Sequence, residues 1–284
     1  MIEKTSAVVL KSMKYRDTSK IVTLYTRRFG RLSCLAKGAR QLTSKFGASL
    51  EPMTESEIVF YKSEGRDLHL LSQSSTLRPF KKLHSQGEKI AIGFSVLELV
   101  NRLAHEQEEH QALYALLIDA LEALEHSERN FVNILYAFEL RFSALHGFAP
   151  SFKACANCGR ALGSADEERV LPFLLDKGAA VCPECREAMG QVLQVTQATG
   201  ALAAGGAAPS RLMVPLRASA RRVLERLLDS PLESVCTLHY DAAVGNDLDE
   251  TLRLYLQYHF ENFRPLKSPG IFGLSTGQES PEKR

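Results

Sequence analysis

No run of about 18 apolar residues occurs anywhere in this 284-residue chain, so no transmembrane helix is expected. The opening residues, Met1-Ile2-Glu3-Lys4-Thr5, lack the basic start, apolar stretch and small-residue cleavage site of a secretory signal. A cytoplasmic location with reduced thiols is the expectation. Common catalytic signatures are missing too. There is no G-x-x-x-x-G-K-[ST] loop to cradle a nucleotide, no G-x-G-x-x-G after a strand, and no G-x-S-x-G nucleophile elbow. The pair His105 and His110 misses the metalloprotease motif because their spacing is one residue too long. A spacing of i, i+5 puts the two imidazoles about 140° apart on a helix, where they cannot share one ion undistorted. A non-enzyme with no small-molecule substrate is expected, with a zinc hydrolase as a distant alternative.

Acidic residues are scarce at the start. Through residue 45 only Glu3 and Asp17 are acidic, against Lys4, Lys11, Lys14, Arg16, Lys20, Arg27, Arg28, Arg31, Lys37, Arg40 and Lys45. That local excess of nine positive charges leaves the remainder net −7, although the whole chain is only +2. Such asymmetry points to a polyanion, nucleic acid before others, facing the N-terminal part. The plainer reading is a solvated basic surface.

The first 80 residues read as five short strands: Ser6–Leu10, Ile21–Thr26, Leu32–Ala36, Glu57–Tyr61 and Leu68–Leu71. Turns are expected at Phe29-Gly30-Arg31 and Ser63–Asp67. This pattern suits a small closed barrel, the OB-fold first among candidates, with SH3-like barrels also open. After Pro79 the periodicity becomes helical, with stripes over Ile90–Ala104, Leu113–Leu124, Phe131–Leu145, Val223–Leu228 and Leu248–Phe260. The third helix should stop at His146-Gly147 before Pro150, and the last should be capped by Asn246 or Asp247. The expected class is α+β: a five-stranded OB-fold barrel over 1–80, then an α-helical domain over 81–267. Ala198–Ser210 reads as a loop or weak helix, and 268–284 as a disordered tail.

Two cysteine pairs, Cys155-Ala156-Asn157-Cys158 and Cys182-Pro183-Glu184-Cys185, have the spacing of two metal knuckles. Four thiolate ligands complete a tetrahedral zinc site and leave no position for water or substrate, so the expected zinc is structural and staples a lobe at about 151–190. A zinc deaminase would need proline where Val181 stands. Cys34 and Cys236 sit singly in apolar, strand-like runs and read as buried core thiols.

Met13–Thr26, with its continuation Phe29–Arg40 ending in Ala36-Lys37-Gly38-Ala39-Arg40, resembles the early strand region of the RecO family. The helical half with two cysteine pairs, and Tyr255-Leu256-Gln257-Tyr258-His259, fit the same family. The resemblance runs from the first strand to about Lys267. It implies a DNA repair and recombination mediator that binds single- and double-stranded DNA. It also implies annealing of complementary strands coated by single-stranded-DNA-binding protein (SSB), contact with the acidic C-terminal tail of SSB, and cooperation with RecR to load RecA. A cytoplasmic, nucleoid-associated location follows.

The candidate DNA contacts are Lys14, Arg16, Arg27, Arg28, Arg31, Lys37, Arg40 and Lys45, with Tyr15 and Tyr25 as base-stacking candidates; core packing is the alternative for either tyrosine and carries at least equal weight for Tyr25. Arg27, Arg28 and Arg31 flank one turn where they can converge, and Gly38–Gly47 reads as a flexible loop. Backbone contacts of this kind are sequence-independent. For the SSB tail, Arg102, Arg129, Arg141, Arg221 and Arg222 are candidates among which the sequence does not choose. The alternative function is a zinc-bearing RNA-binding or ribosome-associated factor, since an OB barrel serves RNA equally well.

Overall fold

A computed structural model describes residues 1–63, 65, 67–104, 108–163, 170–189, 213–261 and 263–267. The expected Ala198–Ser210 segment, His105 and the 268–284 tail lie outside the described residues. Five strands, β1 (Ile2–Tyr15), β2 (Ser19–Thr26), β3 (Gly30–Ala36), β4 (Glu55–Tyr61) and β5 (Leu68–Arg78), close into a barrel in the order β1-β2-β3-β5-β4. Neighbouring strands pair antiparallel except β3 and β5, which run parallel. This is the OB-type arrangement expected.

β1 is much longer than the apolar run that announced it, because strand pairing with β2 continues through Lys11–Tyr15, where Lys11, Met13 and Lys14 are exposed. Its length lets it pair with both β2 and β4, which is what closes the sheet. The interior is filled by Ala7, Val9, Val22, Leu24, Leu32, Cys34, Ala36, Ile58, Phe60 and Leu71, plugged by Phe46 and Leu50. Each such Val or Leu contributes about 1.5–3 kcal/mol through burial. Cys34 is a core thiol, as expected, and burial pushes it up to about 12.

The tight β2–β3 turn depends on Gly30. Its φ is +57°, and a Cβ there would meet the Glu108 carbonyl oxygen at 2.2 Å. The Thr26 hydroxyl donates to Gly30 O at 3.0 Å and accepts from the Phe29 amide at 2.9 Å, pinning the turn.

The helices α1 (Gly87–Leu103), α2 (Gln111–His126) and α3 (Val132–Leu145) follow. Packing groups Met1–Leu135 into one compact unit, so the barrel, α1 and α2 belong together. Tyr114 on α2 donates to buried Glu55 on β4 at 2.8 Å, and Arg78 completes the link from its Nε to Glu55 at 2.7 Å. His110 Nδ1 accepts the Leu113 amide at 3.2 Å and so caps α2.

The second compact unit runs from Tyr136 to Pro265. The third helix ends as expected, with Gly147 at φ +86°. A three-stranded sheet then appears that the sequence did not announce: β6 (Val170–Leu174), β7 (Ala179–Ala180) and β8 (Met213–Arg217), in the order β7-β6-β8. Helices α4 (Pro183–Ala188), α5 (Ala218–Asp229) and α6 (Ala242–His259) complete the unit. The N-cap of α6 is Asp241, not Asn246 or Asp247, and its carboxylate accepts the Val244 amide at 2.8 Å. Cys236 is buried as expected but sits in a single 3-10 turn, Val235–Thr237, rather than an extended run. No described helix is long and apolar enough to cross a membrane.

Candidate metal centre and nucleic-acid interface

The four cysteines of the two pairs converge. Cys155 and Cys158 lie on one turn, Cys182 precedes α4, and Cys185 lies within its first turn. All four sulfurs lie within 4.8 Å of one another, with Cys158 Sγ and Cys182 Sγ 3.8 Å apart. A tetrahedral ion with metal–sulfur bonds of about 2.3 Å separates its sulfurs by about 3.8 Å, so the residues present fit such an ion. Gly159 follows the first knuckle at φ +72°, and its amide donates back to Cys155 O at 3.0 Å.

The sulfurs are also aimed at amides. The backbone N–H groups of Cys182 and Asn157 donate to Cys155 Sγ at 3.3 and 3.5 Å, and Asn157 Nδ2 donates to Cys185 Sγ at 3.4 Å. Burial works to raise the Cys155 thiol, but the backbone donors of Cys158, Cys182 and Asn157 outweigh it and bring it down to about 6. Burial pushes Cys182 up to about 12. Neighbouring thiols that cannot all ionise alone form a donor set suited to a divalent cation. Arg160 and Glu184 pair at 3.0 Å across the two knuckles, but both are exposed and add little.

The basic residues of the barrel do not form one cluster. They divide between the two ends of β2, whose seven-residue step from Lys20 to Arg27 spans about 23 Å. At one end stand Arg27, Arg28 and Arg31, around the β2–β3 turn. Arg28 lies 4.0 Å from Glu3 and donates to Lys4 O at 3.5 Å, and Lys4 pairs with Glu57 at 2.9 Å. Arg28 and Lys62 each lie 5.1 Å from the Phe29 ring centroid, within cation–π range. Lys62 is a residue the sequence reading missed; its only signal was a cation one residue beyond a strand.

At the other end stand Lys14, Arg16, Lys37, Arg40 and Lys45. Lys14 pairs across the sheet with Lys20, and Lys20 with Ala36, which sets the end of β1, the β1–β2 turn and the end of β3 side by side. Lys20 is committed to Glu51 at 2.8 Å. The other five are exposed, except that Lys14 and Arg16 flank half-buried Tyr15, and among the described residues none has a carboxylate within ion-pair distance. Arg40 Nη1 donates to Arg16 O at 3.1 Å and Asp17 O at 2.9 Å, and its amide donates to Thr18 O at 2.8 Å. The loop after β3 is therefore bolted to the β1–β2 turn and built from successive hydrogen-bonded turns, Gln41 N to Gly38 O and Ser44 N to Gln41 O.

Arg16 holds a left-handed backbone at φ +50°, a conformation that favours glycine or asparagine. Its guanidinium lies 5.3 Å from the Tyr15 ring. Tyr25 is not available for stacking on bases: it is buried in the core, and burial, then the charge of Glu108, raises it to about 12. The candidate arginines of the helical part separate as well. Arg141 donates to the carbonyls of Leu227 and Ser230, and buried Arg221 to that of Phe152. Both are spent internally. Arg102 pairs with Glu98 on its own helix, while Arg129 and Arg222 are exposed.

Against known proteins, residues 1–80 match the family model described as recombination protein O, N terminal, and residues 84–269 match its C-terminal counterpart. The chain belongs to the RecO family. Relatives named DNA repair protein RecO include those of Salinibacter ruber, 30% identical over 99% of this chain and 97% of the relative, and Chlorobium limicola, 32% identical over 92% and 94%. That of Pelotomaculum thermopropionicum is 31% identical over 93% of this chain and 91% of the relative. A role in DNA repair and recombination is thereby supported for this RecO-family chain, and its four close cysteines could hold a metal ion.

Proposed function

We propose that the chain is a nucleotide-independent DNA repair mediator that grips single- and double-stranded DNA by the backbone and anneals complementary strands. The observation that carries this reading is the end of the barrel where Lys14, Arg16, Lys37, Arg40 and Lys45 stand exposed, with no carboxylate in ion-pair range among the described residues. Two complementary strands repel through their phosphates. Cations held on a rigid scaffold neutralise phosphates and release counterions, which lowers that repulsion. Base pairing is then downhill, so no phosphate-cradling loop is required. Contacts of this kind position a strand without reading its sequence. Arg27, Arg28 and Arg31 form a second, weaker patch that a longer strand or a second strand reaches along the barrel.

On this reading Cys155, Cys158, Cys182 and Cys185 hold a structural zinc that stabilises the lobe about 151–190 and takes no part in chemistry. Partners are SSB, through its acidic C-terminal tail, and RecR, with RecA loaded onto the cleared strand. The protein works in the cytoplasm at the nucleoid. The functional division follows a DNA-binding region over 1–80 and a helical region over 81–267.

The deciding experiment is annealing of complementary oligonucleotides, bare and SSB-coated, by the purified chain without ATP. Acceleration of both reactions supports the reading. Acceleration with RNA strands but not DNA strands would instead support an RNA-binding factor, the reading that an OB barrel with basic loops also accommodates.

A further inference from the structure

The bolted loop between β3 and β4 carries a side chain that its charge does not explain. Leu42 has a relative exposure of 108%, the highest of any large apolar side chain among the described residues. A single exposed leucine is ordinary on a protein surface. This one differs in its setting. It sits at the tip of a turn series held by hydrogen bonds from Gln41 and Ser44. It is flanked in sequence by Lys37, Arg40 and Lys45, and the loop is anchored through Arg40 to the β1–β2 turn that carries Arg16. Met13, on β1 at this same end of the barrel, is 44% exposed. A rigid support therefore presents an apolar tip among phosphate-seeking cations.

Resting on the reading that this end grips DNA, we propose that Leu42 is a wedge that packs against a nucleobase where single strand meets duplex. Cations hold the backbone on either side of the loop, and the leucine takes the place of a stacked neighbour on the last base. Apolar side chains inserted at base steps unstack them, and the cost is offset by backbone contacts on both sides. The arrangement would hold the terminal base unstacked and its pairing edge open, which suits a protein that exchanges partners between strands. The ligand class is a nucleic-acid junction rather than a uniform duplex.

The test places 2-aminopurine at the junction of a partial duplex and reads its fluorescence, which rises on unstacking. Wild type, Leu42→Ser and Leu42→Phe are compared as full chains, each at a concentration where anisotropy shows the oligonucleotide saturated. Leu42 touches no core, so these variants test the tip and not the fold. The expected result is a several-fold rise with wild type and Leu42→Phe that is largely lost in Leu42→Ser. An equal rise with saturating Leu42→Ser overturns the wedge and leaves backbone gripping intact. Failure of wild type to saturate the junction even in dilute salt overturns the DNA-binding reading, and the wedge with it.

Discussion

Individual residues decide where this molecule resists change. Glu139 on α3 is buried, and burial first, then the nearby charge of Asp249, lifts its carboxyl from 4.5 to about 8. Asp249 itself accepts from the Tyr136 hydroxyl at 2.5 Å, so the neutral form of Glu139 is the one this interior accommodates. Because the folded pKa lies above the unfolded one, the stability that goes with the neutral form is fully present below about 4.5 and is lost as pH rises to about 8. Glu139→Gln is neutral at every pH. Its unfolding midpoint should therefore gain on wild type between pH 5 and pH 8.5, by about 2–4 °C per kcal/mol, in thermal melts at the two pH values. An unchanging gap would contradict the buried neutral carboxyl.

Gly178 gives a second prediction at this scale. At φ +61°, with a would-be Cβ 2.6 Å from Tyr255 Oη and 3.2 Å from Pro150 Cα, it has no room for alanine. Gly178→Ala should lower stability by about 1–3 kcal/mol in urea unfolding, without changing the zinc content.

Single positions were also where sequence legibility ran out. Tyr25 on β2 left base stacking and core packing both open, and it is buried, because β2 has the barrel interior on one face and packed structure including α1 on the other. A period of two cannot tell a solvated outer face from a covered one. The settings of Lys62 and Leu42 were invisible for a different reason: they come from what the turns bring beside them.

At the scale of elements, the five barrel strands and the long helices were legible because their apolar periodicity is strong. The sheet β7-β6-β8 was not. Pro172 pairs with Pro215 in its two main strands, and β7 is only two residues long, so every strand signal was suppressed. The α6 cap was misplaced because Gly245, Asn246 and Asp247 resemble a helix start while lying inside the helix. The convergence of the four cysteines was legible, since its signal is spacing rather than periodicity. It ties β7, α4 and the Cys155 turn together, with Ala156 N donating to Ala180 O at 2.8 Å. The purified protein should carry about one zinc per chain by elemental analysis. Cys182→Ser with Cys185→Ser should lose it and melt at lower temperature, while single-strand affinity falls much less than with the barrel variants below. Full zinc content in that double variant would refute the assigned ligands.

Across the whole molecule, charge is separated along the chain: nine net positive charges in the first 45 residues against a net −7 in the rest. On the proposed reading the barrel end that carries Lys37, Arg40 and Lys45 is the main DNA-gripping surface, and the β2–β3 turn, where Arg28 faces Glu3, is a lesser one. Affinity should therefore be dominated by counterion release and concentrated at the loop end.

The most direct measurement is single-strand affinity by fluorescence anisotropy across a salt series. It compares wild type, Lys37/Arg40/Lys45→Ala and Arg27/Arg28/Arg31→Ala. Each lost phosphate contact should flatten the plot of log affinity against log salt by about 0.7, so the loop variant should lose about 2 in slope and the turn variant less. Equal slopes in all three proteins would contradict the account.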